Sequence, residues 1–97
     1  MSENETIWKY DLGTPTPHLI THRMPDGAHP LSVGVQDGKI VLWARVAPGK
    51  NAKDRQFAVA WTGEPLPWAE LKPPVVGYNF LGTVTIEGLV CHVFELL

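Results

Sequence analysis

Several residues of this chain carry groups suited to holding a planar, anionic ligand. They are Trp43, Arg45, Lys53, Arg55, Trp61, Thr62, Gly63 and His92. An indole ring stacks on a flat base and attracts cations, while arginine and lysine neutralise phosphate. Turn residues such as Thr62 and Gly63 expose backbone N–H groups that bind anions. If these residues converge, the pattern predicts a site for a nucleotide-type ligand. The alternative is that the four tryptophans supply core or subunit-contact area.

The sequence offers little that could act as a catalytic centre. Cys91 and His92 are adjacent, so on a strand they point to opposite faces and cannot form a nucleophile–base pair. Cys91 is expected to be a buried thiol. Neither a glycine loop opening a helix nor a G-x-S-x-G motif is present. The chain is therefore predicted to be a non-enzyme, with a nucleotide hydrolase built on His92 as the minor alternative.

The remaining histidines do not predict a metal site. His18 and His22 share one face of a predicted strand, and His29 follows without a Cys or acidic partner at ligand spacing. On a strand, residues four apart have Cα atoms about 13 Å apart, which is too far to share one ion. No metal and no cofactor are expected.

Composition narrows the class of protein. The chain has 97 residues, 44% of them hydrophobic, one cysteine and a formal net charge of −2. These values predict a single domain over residues 1–97, with 1–5 as a flexible tail, and argue against a nucleic-acid partner bound by bulk electrostatics. No signal-peptide pattern and no apolar run of about 20 residues is present, so a cytoplasmic location without a membrane is expected.

The elements that must position these residues are predicted to be strands. Nine prolines and nine glycines separate short runs rich in β-branched and aromatic residues. Strands are predicted at 6–12, 18–24 and 55–61, with one hairpin within 31–48 and another within the last residues of the chain. About six or seven strands result. The fold class is all-β, a small antiparallel sandwich or partly open barrel.

Two tight turns set the register of the hairpins. Asp37-Gly38 fits a two-residue type I′ loop, and Glu87-Gly88 is predicted to be a second tight turn. The predicted pairs are Gln36–Lys39, Val35–Ile40, Val33–Leu42, Leu31–Ala44, Ile86–Leu89, Val84–Cys91 and Thr83–His92. Both faces of the second hairpin are apolar, which is typical of a strand buried on both sides. A second sheet or a partner subunit must then cover it, so a homo-oligomer is expected.

Several blocks resemble a family of short proteins from phages and bacteria that is known only as a domain of unknown function. The blocks are "IWK" at 7–9, "MPDGA" at 24–28, "LWA" at 42–44, "TG" at 62–63 and "HVFE" at 92–95. The segment "GTPTPHLI" departs from the family pattern. The resemblance implies a small cytoplasmic accessory protein of phage type, and proteins of that type often inhibit host defence.

Two hypotheses for function follow. In the first, the chain binds and sequesters a small nucleotide-like immune signal in a pocket at a subunit interface. In the second, it is a protein-binding inhibitor or adaptor of a host defence protein, with an exposed strand edge or aromatic patch. The loop "WTGEPLPW" at 61–68 is expected either to form the rim of a binding pocket or to pack against a neighbouring subunit.

Overall fold

The computed structural model describes residues 4–97, and within them it contains strands and turns but no helix. The seven strands are β1 (Thr6–Gly13), β2 (His18–Pro25), β3 (His29–Gln36), β4 (Lys39–Val46), β5 (Ala52–Trp61), β6 (Tyr78–Ile86) and β7 (Leu89–Leu96). The predicted all-β class and strand number are confirmed. Part of the predicted tail, residues 1–3, lies outside the described residues.

The strands form two antiparallel sheets. The three-stranded sheet has the order β1-β4-β3, and the four-stranded sheet has the order β2-β5-β7-β6. The β3–β4 hairpin lies within the three-stranded sheet and the β6–β7 hairpin within the four-stranded sheet. The β1–β2, β2–β3 and β4–β5 connections pass from one sheet to the other. The architecture is a small β-sandwich, not a closed barrel.

The β3–β4 hairpin confirms the predicted turn and most of the predicted register. Asp37 and Gly38 have φ of 51° and 74°, as a type I′ turn requires. The pairs from Gln36–Lys39 to Val33–Leu42 are observed. The predicted pair of Leu31 with Ala44 is wrong, because a β-bulge at Leu31 shifts the register and places Pro30 opposite Ala44. Leu31 is consequently 48% exposed instead of facing the core.

The β6–β7 hairpin repeats this design. Glu87 and Gly88 have φ of 51° and 81°, and all three predicted pairs are observed. A second bulge, at Leu81, places Phe80 opposite Phe94. The two bulges therefore interrupt β3 and β6, the edge strands of the two sheets.

The main core lies between the two sheets. Its fully buried large side chains are Leu12, Met24, Ile40, Leu42, Val46, Phe57, Val59, Cys91 and Val93. Each such side chain stabilises the fold by about 1.5–3 kcal/mol through its burial. A second, smaller cluster of Ala58, Trp68 and Leu96 lies on the other side of the four-stranded sheet. Both faces of that sheet are thus apolar, as the sequence of its last hairpin predicts.

The two sides of the sandwich are closed differently. On the β1–β2 side, His18 Nε2 bonds the carbonyl of Leu12 at 2.8 Å and His22 Nε2 bonds that of Asp11 at 2.6 Å. These side chains bridge the two sheets. On the opposite side β3 and β6 lie together, but no ladder joins them among the described residues.

Candidate functional site

A cleft opens where β3 and β6 diverge. The two strands touch at Gly82, where a Cβ atom would lie only 2.7 Å from Val33 Cγ2. Beyond this contact both strands bulge, and a cavity of about 420 Å³ lies between them. We call it the interstrand cleft. Its lining residues are Ala28, His29, Pro30, Arg55, Asn79, Phe80, Leu81 and Glu95.

An ion pair forms part of the wall of the interstrand cleft. Arg55 Nε and Nη2 donate to the two carboxylate oxygens of Glu95 at 2.5 and 2.8 Å, and Nη1 donates to the carbonyl of Ala28 at 2.7 Å. The Glu95 side chain is 6% exposed and that of Arg55 is 22% exposed. The hydrogen bonds from Arg55 to Glu95 raise the pKa of the guanidinium against the opposing effect of burial. The pair is therefore charge-neutral and well satisfied.

The outer face of the four-stranded sheet carries a group of touching aromatic rings. Phe94 lies at its centre, with ring centroids 5.1 Å from Trp68, 5.3 Å from Tyr78 and 5.4 Å from Phe80. Trp68 is buried, whereas Tyr78 is 54% and Phe80 57% exposed. We call these four residues the aromatic face. Phe80 also lines the interstrand cleft, so the two features are continuous.

The segment between β5 and β6 covers only part of that outer face. Its turn at 66–71 is held by backbone bonds from Ala69 to Leu66 and from Leu71 to Trp68. Trp68 thereby packs on Ala58 and is 8% exposed. The second tryptophan of this loop, Trp61, turns inward, and its Nε1 donates to the carbonyl of Pro15 at 2.9 Å. The part of the loop around Trp68 is therefore packed on its own sheet, whereas Thr62 and Glu64 line a second cavity.

His92 lies on the outer side of the same sheet between two threonines. Its Nε2 is 2.6 Å from Thr62 Oγ1, and its Nδ1 is 2.9 Å from Thr83 Oγ1. Both ring nitrogens are thus occupied by hydroxyl groups. Within residues 4–97, no carboxylate is hydrogen-bonded to this imidazole to orient it as a general base.

Trp43 and Arg45 lie on the outer face of the three-stranded sheet. The indole of Trp43 is half-buried over Gly34, where a Cβ atom would come within 2.7 Å of Cζ3. Arg45 is exposed and pairs with Glu5 at 3.6 Å. On the same face, Lys9 Nζ donates to Gln36 at 2.7 Å.

The residues predicted to bind a ligand therefore occupy separate surfaces of one copy of the chain. Trp43 and Arg45 lie on one sheet's outer face, and Thr62 and His92 on the other's. Trp61 and Arg55 point between the sheets, Lys53 pairs with Asp26 at 3.3 Å, and Gly63 forms the turn after β5 with φ of 83°. Two local groups of predicted residues do meet: Thr62 contacts His92, and Trp61 and Thr62 line a second, smaller cavity of about 240 Å³.

Apart from Arg55, sequence reasoning missed the residues that line the cleft and the aromatic face. Glu95 lies in an otherwise apolar strand, and a buried acidic residue requires a partner. An acidic residue in such a strand was therefore the available sign of a buried pair with an arginine such as Arg55. Tyr78 and Phe80 alternate on one strand, but their exposure depends on how far the preceding loop reaches. No pattern in the sequence indicates how much of the sheet that loop covers.

The described residues contain neither a metal-ligand cluster nor a membrane-spanning helix. No group of three or more His, Cys, Asp or Glu side chains in residues 4–97 could hold a metal ion. No helix in the same residues is long and apolar enough to span a membrane. The buried thiol predicted for Cys91 is confirmed, and burial raises its pKa.

The fold and its open side define a small antiparallel β-sandwich with an unpaired edge beside an exposed aromatic face. The chain belongs to the family described as a domain of unknown function, DUF7352, whose model matches residues 3–97. Membership in an uncharacterised family confirms the coarser part of the resemblance. No curated protein and no solved structure matches the chain.

Proposed function

We propose that this chain is a non-catalytic binding protein that docks onto another protein through the aromatic face. The observation that carries the proposal is the exposure of Tyr78 and Phe80, each more than half accessible, beside buried Trp68. Val90 is a further exposed apolar side chain on the same sheet face, separated from the aromatic face by His92. Solvent-facing sides of antiparallel sheets are normally polar. Contiguous apolar patches of this kind mark interaction surfaces.

The chemistry of the patch fits a protein partner. Aromatic side chains contribute large contact areas with few rotatable bonds, and tyrosine and phenylalanine are enriched in the centres of interfaces. The rings are already ordered by their contacts with Phe94, so little conformational entropy is lost on binding. A second copy of the chain is one partner that this surface would accept, in line with the expected homo-oligomer.

The biological setting is part of the same proposal. The sequence blocks resemble proteins of phage type that act on host defence, so the partner we propose is a defence protein in the host cytoplasm. The protein would act by occupying a surface of that partner. This step rests on the resemblance and the patch together.

Nucleotide sequestration is the second candidate. It is favoured by the size of the interstrand cleft, which falls within the range of small-ligand pockets. It is disfavoured by the state of Arg55, whose charge is already neutralised by Glu95. A phosphate placed there would meet the carboxylate. Trp43 and Arg45 could contribute only if a second copy brought its outer face to the ligand.

A comparison of three proteins tests the main proposal. The double variant Tyr78→Ser/Phe80→Ser removes the exposed rings, and Ile7→Ser is a matched control because Ile7 is 58% exposed on the other sheet. Each protein is immobilised at equal density and exposed to lysate of the host cell. Bound proteins are quantified by mass spectrometry. Native mass spectrometry with linear and cyclic nucleotides tests the second candidate in parallel.

The proposal predicts a protein retained by the wild type and by Ile7→Ser but lost by the double variant. Equal retention by all three would refute it, provided that circular dichroism shows the double variant folded. A nucleotide retained at unchanged mass, with no protein lost on ring removal, would favour sequestration instead.

A further inference from the structure

We propose that an extended segment of the partner protein enters the interstrand cleft and adds to the free edge of β6 as an additional strand. The inference rests on the protein-binding function proposed above and specifies how the partner is held. The template is the stretch from Tyr78 to Phe80. Strand addition of this type takes its affinity from main-chain hydrogen bonds and its selectivity from pockets for alternate side chains.

The phase of the β6–β7 ladder shows which backbone groups are free. Leu97 N–H donates to the carbonyl of Gly77 at 2.9 Å, just beyond the ends of the two strands. Residues of an antiparallel pair alternate between bonded and non-bonded positions. Asn79 is then the next residue bonded to β7, while the N–H and C=O groups of Tyr78 and Phe80 point toward the free edge.

The strand across the cleft does not pair with these groups. The residues of β3 that line the cleft are His29 and Pro30, and Pro30 has no N–H to donate. Proline on an edge strand is a common device against unwanted pairing. The bulges at Leu31 and Leu81 also separate the two strands at this point. The β3 edge of the cleft is thus interrupted at Pro30, whereas the β6 edge is available for pairing.

The size of the cleft fits a short extended segment. An extended residue occupies about 160 Å³, from a rise of about 3.3 Å, a strand spacing of about 4.8 Å and a layer depth of about 10 Å. The cavity of about 420 Å³ therefore accommodates roughly two to three residues. The residues of β6 that line the cleft, Asn79, Phe80 and Leu81, form a stretch of the same length.

Charge also favours a peptide backbone over an anion. The cleft wall is the Arg55–Glu95 pair, in which each charge already has its partner. A neutral backbone is complementary to such a wall, whereas a phosphate or free carboxylate is repelled by Glu95. Alternate side chains of the incoming strand would reach Phe80 and so continue onto the aromatic face. The partner segment is therefore uncharged where it passes Arg55.

Amide hydrogen exchange, followed by nuclear magnetic resonance, tests the free edge in the unbound protein. The Phe80 amide is expected to exchange rapidly, and the Asn79 amide slowly because it is bonded to β7. The two residues are adjacent on one strand, so each controls for the other. A slowly exchanging Phe80 amide in the monomer would overturn the inference, since the edge would already be occupied.

Binding is tested with a displayed library of short random peptides selected against the wild type. Selected peptides are synthesised and measured against Phe80→Pro and Thr85→Pro. Phe80→Pro removes the edge N–H inside the cleft, while Thr85→Pro alters the same strand near its turn, outside the cleft. N-methylation of the peptide at every second residue removes the donors of one strand edge. Losing one such hydrogen bond is expected to weaken binding about tenfold.

Three results are distinguishable. Peptides that protect the Phe80 amide, and that lose affinity for Phe80→Pro but keep it for Thr85→Pro, support strand addition. Peptides that shift resonances of the aromatic face while the Phe80 amide still exchanges freely overturn strand addition but leave the proposed function standing. If no peptide is enriched over the Phe80→Pro protein, or if only a second copy protects Phe80, the inference fails.

Discussion

Substitution of Glu95 by glutamine is expected to cost the fold about 2–3 kcal/mol. The carboxylate is 6% exposed and accepts two hydrogen bonds from Arg55. Glutamine keeps one acceptor and turns an N–H group toward the guanidinium, which leaves a mostly buried positive charge without its counter-ion. Breaking a fully buried pair costs about 3–5 kcal/mol, and the partial exposure of Arg55 places this case just below that range.

Urea denaturation followed by tryptophan fluorescence measures the loss. For a domain of this size the expected change corresponds to a fall in Tm of roughly 10–20 °C. The matched control is Glu5→Gln, because Glu5 forms an ion pair with Arg45 in which both side chains are more than half exposed. That variant is expected to change stability by less than about 0.5 kcal/mol. Equal losses in the two variants, or a loss below about 0.5 kcal/mol for Glu95→Gln, would refute the reasoning.

Three further predictions concern groups inside the sandwich. Tyr10→Phe is expected to leave stability unchanged or raise it by up to about 1 kcal/mol, because the buried hydroxyl has no hydrogen-bond partner. Because burial raises the pKa of Tyr10, the wild type should also lose more stability than the variant as pH rises above 10. Equal pH profiles of the two proteins would contradict this prediction. Gly82→Ala is expected to lower the free energy of unfolding by about 2 kcal/mol or more, because the added Cβ atom clashes with Val33. In urea denaturation, adding Val33→Ala should recover part of that loss, whereas strictly additive losses would argue against the contact. Cys91 is expected to react with a thiol reagent at least about 100-fold more slowly in the native protein than in denaturant, and rapid native labelling would show that the core opens there.

The fold was largely predictable because its signals are local. Asp37-Gly38 and Glu87-Gly88 specify type I′ turns, and each turn fixes the pairing of the residues around it. The bulge at Leu31 was not predictable from hydrophobic alternation, since Leu31 is apolar and continues the pattern. Pro30 was the available signal, because a proline is tolerated only where the ladder does not need its N–H.

The candidate site was much less predictable, because it depends on contacts between distant segments. Arg55 meets Glu95 from 40 positions away in the sequence, and spacing alone does not reveal that encounter. The eight predicted ligand residues share suitable chemistry, yet alternation along the strands sends Trp43 and Arg45 away from Arg55 and Trp61. Chemical type is visible in a sequence, whereas convergence requires knowing which faces the two sheets bury.

Site-specific photo-crosslinking tests the central claim most directly. A benzophenone-bearing phenylalanine analogue placed at Phe80 would report what contacts the aromatic face and the interstrand cleft in the host cell. The same probe at Ile7, exposed on the other sheet, is the control. The account predicts a discrete protein adduct from position 80 that is absent from position 7. The same adducts from both positions, or none from position 80 while the variant stays folded, would contradict it.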